Sequence, residues 1–325
     1  MLALLLLGVA WVGGAAASAG SPLYLALGDS LAAGVGASEP AQTGYVSLVF
    51  DALQTEPASP YSGDKLTLLN LGDPGETTTS MLASGGQMEK ALAEIESRSD
   101  DGVTGNEVAV ITIDIGANDF IPLVQGDSPC LPNPLAKACQ EAAASALTTF
   151  RSNLTDIMRQ LRTAAGPEVE IVALGLYNPL SGTGGSFDAV GDAAVELFNN
   201  TVAEAVAEPD IQARLADIFI LFDGRGPELT HIAELPPDVH PNDSGHYLMA
   251  QAVVSALGLP PDAVATPLSG APPAAALTPT PTVRALPVAD SDGDNDTPWV
   301  LYVGPAVTGV IVVATGLLVL VRRRR

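Results

Sequence analysis

Acyl transfer needs a nucleophile, a base to take its proton, a group to orient that base, and donors for the oxyanion. Residues of those types are spread along this chain. Ser30 follows Gly28 and Asp29, Gly75 ends Asn70-Leu71-Gly72-Asp73-Pro74-Gly75, Asn118 sits in Gly116-Ala117-Asn118-Asp119, and Asp238 precedes His240 by two positions. Taken singly, each has an ordinary reading: Asp-Ser and Asn-Asp cap helices, glycine turns the chain, and the Asp238–His240 stretch is a proline-flanked loop. Together they supply a nucleophile (Ser30), a base (His240), an orienting carboxylate (Asp238) and oxyanion donors (the Ser30 and Gly75 N–H groups and the Asn118 amide). His246 reads as a packing or capping residue in the first turns of a helix, and His231 is given no role. The sequence has no His-x-x-x-His pair, so a zinc site is not expected. Neither a metal nor any other cofactor is expected.

These residues need a scaffold that brings strand ends together. Leu23–Leu27 reads as a short buried strand running into Ser30 at the start of a helix, where backbone N–H groups favour negative charge. Further strands are expected at 65–71, 107–115, 168–174 and 217–222, and helices at 45–53, 85–98, 136–164, 187–208 and 242–257, the last capped by Asn242 or Asp243. In the long helix Leu147, Phe150, Leu154, Ile157 and Leu161 recur at three- and four-residue steps, which gives it one apolar face. Short apolar strands alternating with helices predict a parallel sheet covered on both faces. The expected fold is a three-layer α/β/α, flavodoxin-like architecture of about five parallel strands, with Ser30, Gly75, Asn118, Asp238 and His240 all following strands at one edge.

The 325-residue chain divides by composition. Residues 1–19 read as a secretory signal peptide, almost wholly apolar and ending in Ala17-Ser18-Ala19, although no basic residue precedes the apolar run. Residues 20–259 hold the α/β domain. Residues 260–298, rich in Pro, Ala and Thr and ending in alternating aspartates, read as an extended acidic stalk. Residues 299–321 carry no charge and are long enough to cross a bilayer core of ~30 Å as a transmembrane helix. Arg322–Arg325 then place the C-terminus in the cytoplasm and the domain outside it, at the cell membrane. The formal charge of −23 argues against nucleic acid as a partner. In an exported protein Cys130 and Cys139 are expected to pair as a disulfide. The excursion they staple, between Asp119 and Gln140, is expected to wall an acyl pocket.

The four blocks Gly28-Asp29-Ser30-Leu31, Asn70 to Gly75, Gly116-Ala117-Asn118-Asp119 and Asp238-Val239-His240-Pro241 occur in this order. In that order they resemble the SGNH, or GDSL, serine hydrolase family, and the resemblance covers essentially the whole domain. It implies the flavodoxin-like fold, esterase or lipase activity, and the roles given above for Ser30, Gly75, Asn118, Asp238 and His240. The implied substrate is a small-molecule, lipid or acylated-glycan ester. No Gly-x-Ser-x-Gly elbow is present, so an α/β-hydrolase is not indicated. Two other readings of the same residues stand beside it: an acyltransferase or carbohydrate deacetylase using the same acyl-serine, and a surface-binding module without turnover.

Overall fold

The computed structural model describes residues 20–266 other than 64, 65, 100, 124, 134, 135 and 185. Residues 1–19 and 267–325, where the leader, nearly all of the stalk, the membrane span and the arginine tail are expected, lie outside the described residues. Among the described residues no helix is long and apolar enough to cross a membrane.

The chain runs β1 (Leu23–Gly28), α1 (Pro40–Thr43), α2 (Tyr45–Thr55), β2 (Thr67–Asn70), α3 (Thr78–Met81), α4 (Gln87–Ser99) and β3 (Val108–Asp114). It continues through α5 (Lys137–Ala165), β4 (Glu170–Leu174), α6 (Ser186–Val206), β5 (Arg214–Ala216), α7 (Phe219–Phe222), α8 (Gly226–Leu229) and α9 (Asp243–Ala256). The sheet has the order β2-β1-β3-β4-β5 with every pairing parallel. The order turns at β1, so the crevice of this open sheet lies outside the carboxyl ends of β1 and β3, where ligands bind in such folds.

The period-two alternation of the strands sends their side chains to two separate cores. Leu23, Leu25, Leu27, Ile111, Ile113 and Ile171 pack against α4, α5 and α6. Tyr24, Ala26, Val110, Val172 and Leu174 pack against α2 and α9. The result is the expected three-layer α/β/α arrangement with five parallel strands. The turn at Pro261–Ala263 and the buried Val264 extend the second core past Leu259.

The fifth strand differs from the expectation. Residues 217–222 are not a strand: β5 is the three-residue segment before them, and Phe219–Phe222 is a helical turn. Ile218, Leu221 and Phe222 are buried while Ile220 is exposed, the i, i+3, i+4 pattern of a helix face. A run of apolar residues disguised that pattern. Asp238 and His240 therefore do not follow a strand directly; α7, α8 and a loop intervene. Nor does a helix start at Ser30. The chain after β1 makes one helical turn, with Ala33 N–H on Asp29 O and Val35 N–H on Ser30 O. It then opens at Gly34 and Gly36, both at positive φ.

Candidate active site

Ser30 leaves β1 on a turn that a glycine at position 28 permits. Gly28 has φ 145°, and a Cβ there would lie 2.4 Å from the Asp114 carbonyl oxygen, so β1 and β3 close here because Gly28 lacks a side chain. Gly36, at φ 91°, is pressed against the other half of the site: a Cβ would meet the Pro241 carbonyl oxygen at 2.2 Å. The Ser30 turn and the His240 loop thus touch along the backbone.

Across that contact the side chains form a continuous chain. Ser30 Oγ lies 3.0 Å from His240 Nε2, and His240 Nδ1 donates to Asp238 Oδ1 at 2.5 Å. The same carboxylate oxygen accepts the His240 backbone N–H at 3.0 Å, so a two-residue spacing lets Asp238 hold both the ring and the backbone of His240. Burial works against the Asp238 charge, but these two bonds from His240 outweigh it and hold the carboxyl below its ordinary range. The Tyr177 hydroxyl donates to Val239 O at 2.7 Å and pins the loop between the two residues.

The oxyanion candidates surround the turn. Among the described residues the backbone N–H groups of Ser30 and Gly75 donate to no protein acceptor. The loop bearing Gly75 is tied to β1 by Asp73 N–H on Gly28 O at 3.1 Å. Gln87 adds a double clamp, accepting from Gly28 N–H at 3.0 Å and donating to Gly28 O at 2.7 Å. Asn118 sits on the 3₁₀ turn after β3, which is anchored by Phe120 edge-on to Phe150 and Phe198 at centroid distances of 5.8 and 6.1 Å. Its amide donates to Asp29 Oδ2 at 3.0 Å and to Glu76 O at 2.9 Å. Asp119 holds the next element, accepting from the Thr78 N–H and hydroxyl at the start of α3.

Ser30, Asn118, Asp238, His240 and the loop bearing Gly75 are therefore brought to one end of the sheet. Others at the same place were not singled out. Asp29 accepts from Leu31 N–H and Asn118, and its Oδ1 lies 3.3 Å from Ser30 Oγ, farther than the 3.0 Å from that hydroxyl to His240 Nε2. Asp114, fully buried, accepts the backbone N–H groups of Asp29 and Ala32 on one oxygen and the Tyr45 hydroxyl, at 2.5 Å, on the other. Burial pushes both carboxyls up, Asp114 well above its ordinary value because the Asp29 charge adds to the desolvation. The signal for Asp114 was present: Thr112 and Asp114 are polar at alternate positions of an otherwise apolar strand. His246 is buried as expected, accepting Tyr45 N–H on Nδ1 at 3.3 Å and donating from Nε2 to Val35 O at 3.0 Å. Asn242, not Asp243, caps α9, accepting from Ser244 and Gly245 N–H. Asp243 reaches instead to Ser38 and Thr43. His231 also falls within the site's loops. Cys130 and Cys139 are joined as a buried disulfide.

A Ser–His–Asp chain at the carboxyl end of a three-layer α/β sheet places the protein among the α/β/α hydrolases. Residues 26–248 match the GDSL-like lipase/acylhydrolase family, and the chain belongs to it. It is by class a carboxylic ester hydrolase. No curated protein matches the chain. Among solved structures it is similar to the lipase Lip_vut3 from a goat rumen metagenome, at 22% identity and a TM-score of 0.53, over 73% of this chain and 97% of that one. It is also similar to the acetylxylan esterase Axe2 from Geobacillus stearothermophilus, at 18% identity and a TM-score of 0.50, over 75% and 97%. At these identities the likeness is one of fold.

Proposed function

We propose that this chain is an exported, membrane-anchored serine esterase that cleaves carboxylic esters through an acyl-serine intermediate. The observation that carries the reading is the unbroken line Ser30 Oγ, His240 Nε2, His240 Nδ1, Asp238 Oδ1 at 3.0 and 2.5 Å. Ser30 attacks the ester carbonyl while His240 Nε2 takes its proton. Asp238 holds the ring in the Nδ1–H tautomer and stabilises the imidazolium that forms. The oxyanion accepts from the Ser30 and Gly75 N–H groups and from Asn118, which exchanges the Glu76 carbonyl for the developing charge. His240 then protonates the leaving alcohol and activates the water that frees Ser30.

Export is supported by the Cys130–Cys139 bridge, since disulfides persist in oxidising compartments. It is supported too by the apolar segments at 1–19 and 299–321, which would carry a domain of residues 20–259 outward and hold it on a stalk. The substrate is a small-molecule, lipid or acylated-glycan ester, and the excursion after Asn118 forms the acyl wall. The test is hydrolysis of p-nitrophenyl esters from acetate to palmitate by the wild type and by Ser30→Ala. Turnover that Ser30→Ala abolishes supports the reading, and the chain-length profile sizes the acyl pocket. A folded wild type that turns over no ester refutes it.

A further inference from the structure

His231 joins the two halves of the site. Its backbone brackets the Asp238–His240 segment: the His231 carbonyl accepts the Asp238 N–H at 3.2 Å, and the His231 N–H donates to the His240 carbonyl at 3.1 Å. Its ring reaches the other half, with Nε2 2.8 Å from the Gly36 carbonyl oxygen and Nδ1 2.6 Å from Glu234 Oε1. Gly36 ends the turn that carries Ser30, and lies against Pro241. A carbonyl and a carboxylate both only accept. The ring satisfies both when both nitrogens carry protons, which makes it an imidazolium.

We propose that His231 is a positioning residue whose doubly protonated ring clamps the Asp238–His240 loop onto the Ser30 turn, so that esterase activity falls at alkaline pH when the ring loses a proton. This rests on the serine esterase reading. Four titratable groups face the ring. Glu234 and Asp238, on its own loop, are anionic and favour the charged ring. His240 lies beside Asp238. His246, on α9, is neutral because burial lowers it to about 4. The bond to Glu234 raises His231 above its ordinary value, partial burial opposes it, and the Gly36 carbonyl adds to it. The sign follows: the clamp is complete below the ordinary histidine value of 6.5 and is lost as pH rises through the higher value of the folded state. The general base requires the opposite, a neutral His240, so the profile of kcat/KM is a bell whose falling limb belongs to His231.

The experiment is the pH dependence of kcat and KM for p-nitrophenyl acetate, with Ser30→Ala as the blank for uncatalysed hydrolysis. The expected result for His231→Ala is a kcat about tenfold lower at neutral pH, a KM changed less than about twofold, and no falling limb, because the loop is displaced and the switch is gone. Glu234→Gln keeps a side chain of the same shape and removes the charge that favours the imidazolium. It is expected to match the wild type at the acid end and to begin its falling limb at lower pH. Glu234 is exposed, so this variant carries the test even where His231→Ala fails to fold. A Glu234→Gln profile that superimposes on the wild type overturns the proposal. So does a falling limb that persists in His231→Ala, which would make the residue merely structural. Wild type and Ser30→Ala equally inactive would instead refute the esterase reading beneath it.

Discussion

The carboxylate of Asp114 accepts the backbone N–H of Asp29 at 3.2 Å, one residue before Ser30. The nucleophile's turn is thus fastened to the end of β3 by a buried acid that touches no part of the reacting Ser30–His240–Asp238 line. Both acids are pushed up by burial, so the uncharged form of Asp114 is the one the interior favours. Asp114→Asn is therefore expected to fold and to lose less than about 2 kcal/mol, because the amide oxygen still accepts from the two N–H groups. Asp114→Val removes the acceptor of the Ala32 N–H and of the Tyr45 hydroxyl and leaves the Asp29 N–H only the backbone carbonyl of residue 114, and is expected to cost upwards of about 3 kcal/mol. Urea denaturation of the two variants checks the order; equal losses would contradict it.

Asn118 is held by Asp29 and Glu76, so its amide is oriented before any substrate arrives. Replacing it with alanine is expected to lower kcat by ~10²–10³ with little change in KM, the loss seen when one oxyanion donor is removed. Steady-state kinetics on a p-nitrophenyl ester measure this. An Asn118→Ala variant as active as the wild type would remove Asn118 from the oxyanion site.

His246 is neutral in the folded protein, its value lowered by burial from 6.5 to about 4. The unfolded chain takes up this proton first as pH falls. The stability linked to His246 is therefore whole above pH 6.5 and is lost progressively down to pH 4, a change of about 3 kcal/mol. NMR titration of the ring is expected to show only about a tenth of it protonated at pH 5. Asp29 and Asp114, raised by burial, act in the opposite direction on acidification, so the ring titration is the cleaner readout than the melting temperature.

The Cys130–Cys139 bridge closes a short loop, nine positions apart, whose cysteines are both buried. Closing a loop of this length is worth ~2–3 kcal/mol on the chain-entropy account. Cys130→Ser with Cys139→Ser is expected to lose that amount and to keep the Ser30–His240 geometry. Thiol reagents are expected to label neither cysteine in the unreduced native protein, and labelling of both would refute the bridge.

Much of this site was legible because its chemistry and its fold share one pattern. Strands such as Leu23–Gly28 and Val108–Asp114 are apolar runs ending in glycine-bearing turns, so the turn that stops the strand also presents Ser30 or Asn118. The cysteine pair and the packing role of His246 were legible on the same local grounds. What escaped depends on contacts between distant segments. Asp114 meets Asp29 only through the register of β1 on β3. His231 meets Gly36 only because a long excursion after β5 folds back onto the first turn. The strand expected at 217–222 failed for a different reason: five continuous apolar residues, Ile218 to Phe222, hide a helical spacing, and the strand that does form, Arg214–Ala216, is three residues on an edge with an arginine in it.

The central claim is that Ser30 is a nucleophile activated by His240. Its most direct test is labelling of the protein with a fluorophosphonate at neutral pH, followed by mass spectrometry of the peptide that carries Ser30. The account predicts one adduct, on Ser30, absent from Ser30→Ala and formed at least about a hundredfold more slowly in His240→Ala. An adduct on another residue, or labelling of Ser30 at the same rate without His240, would contradict it.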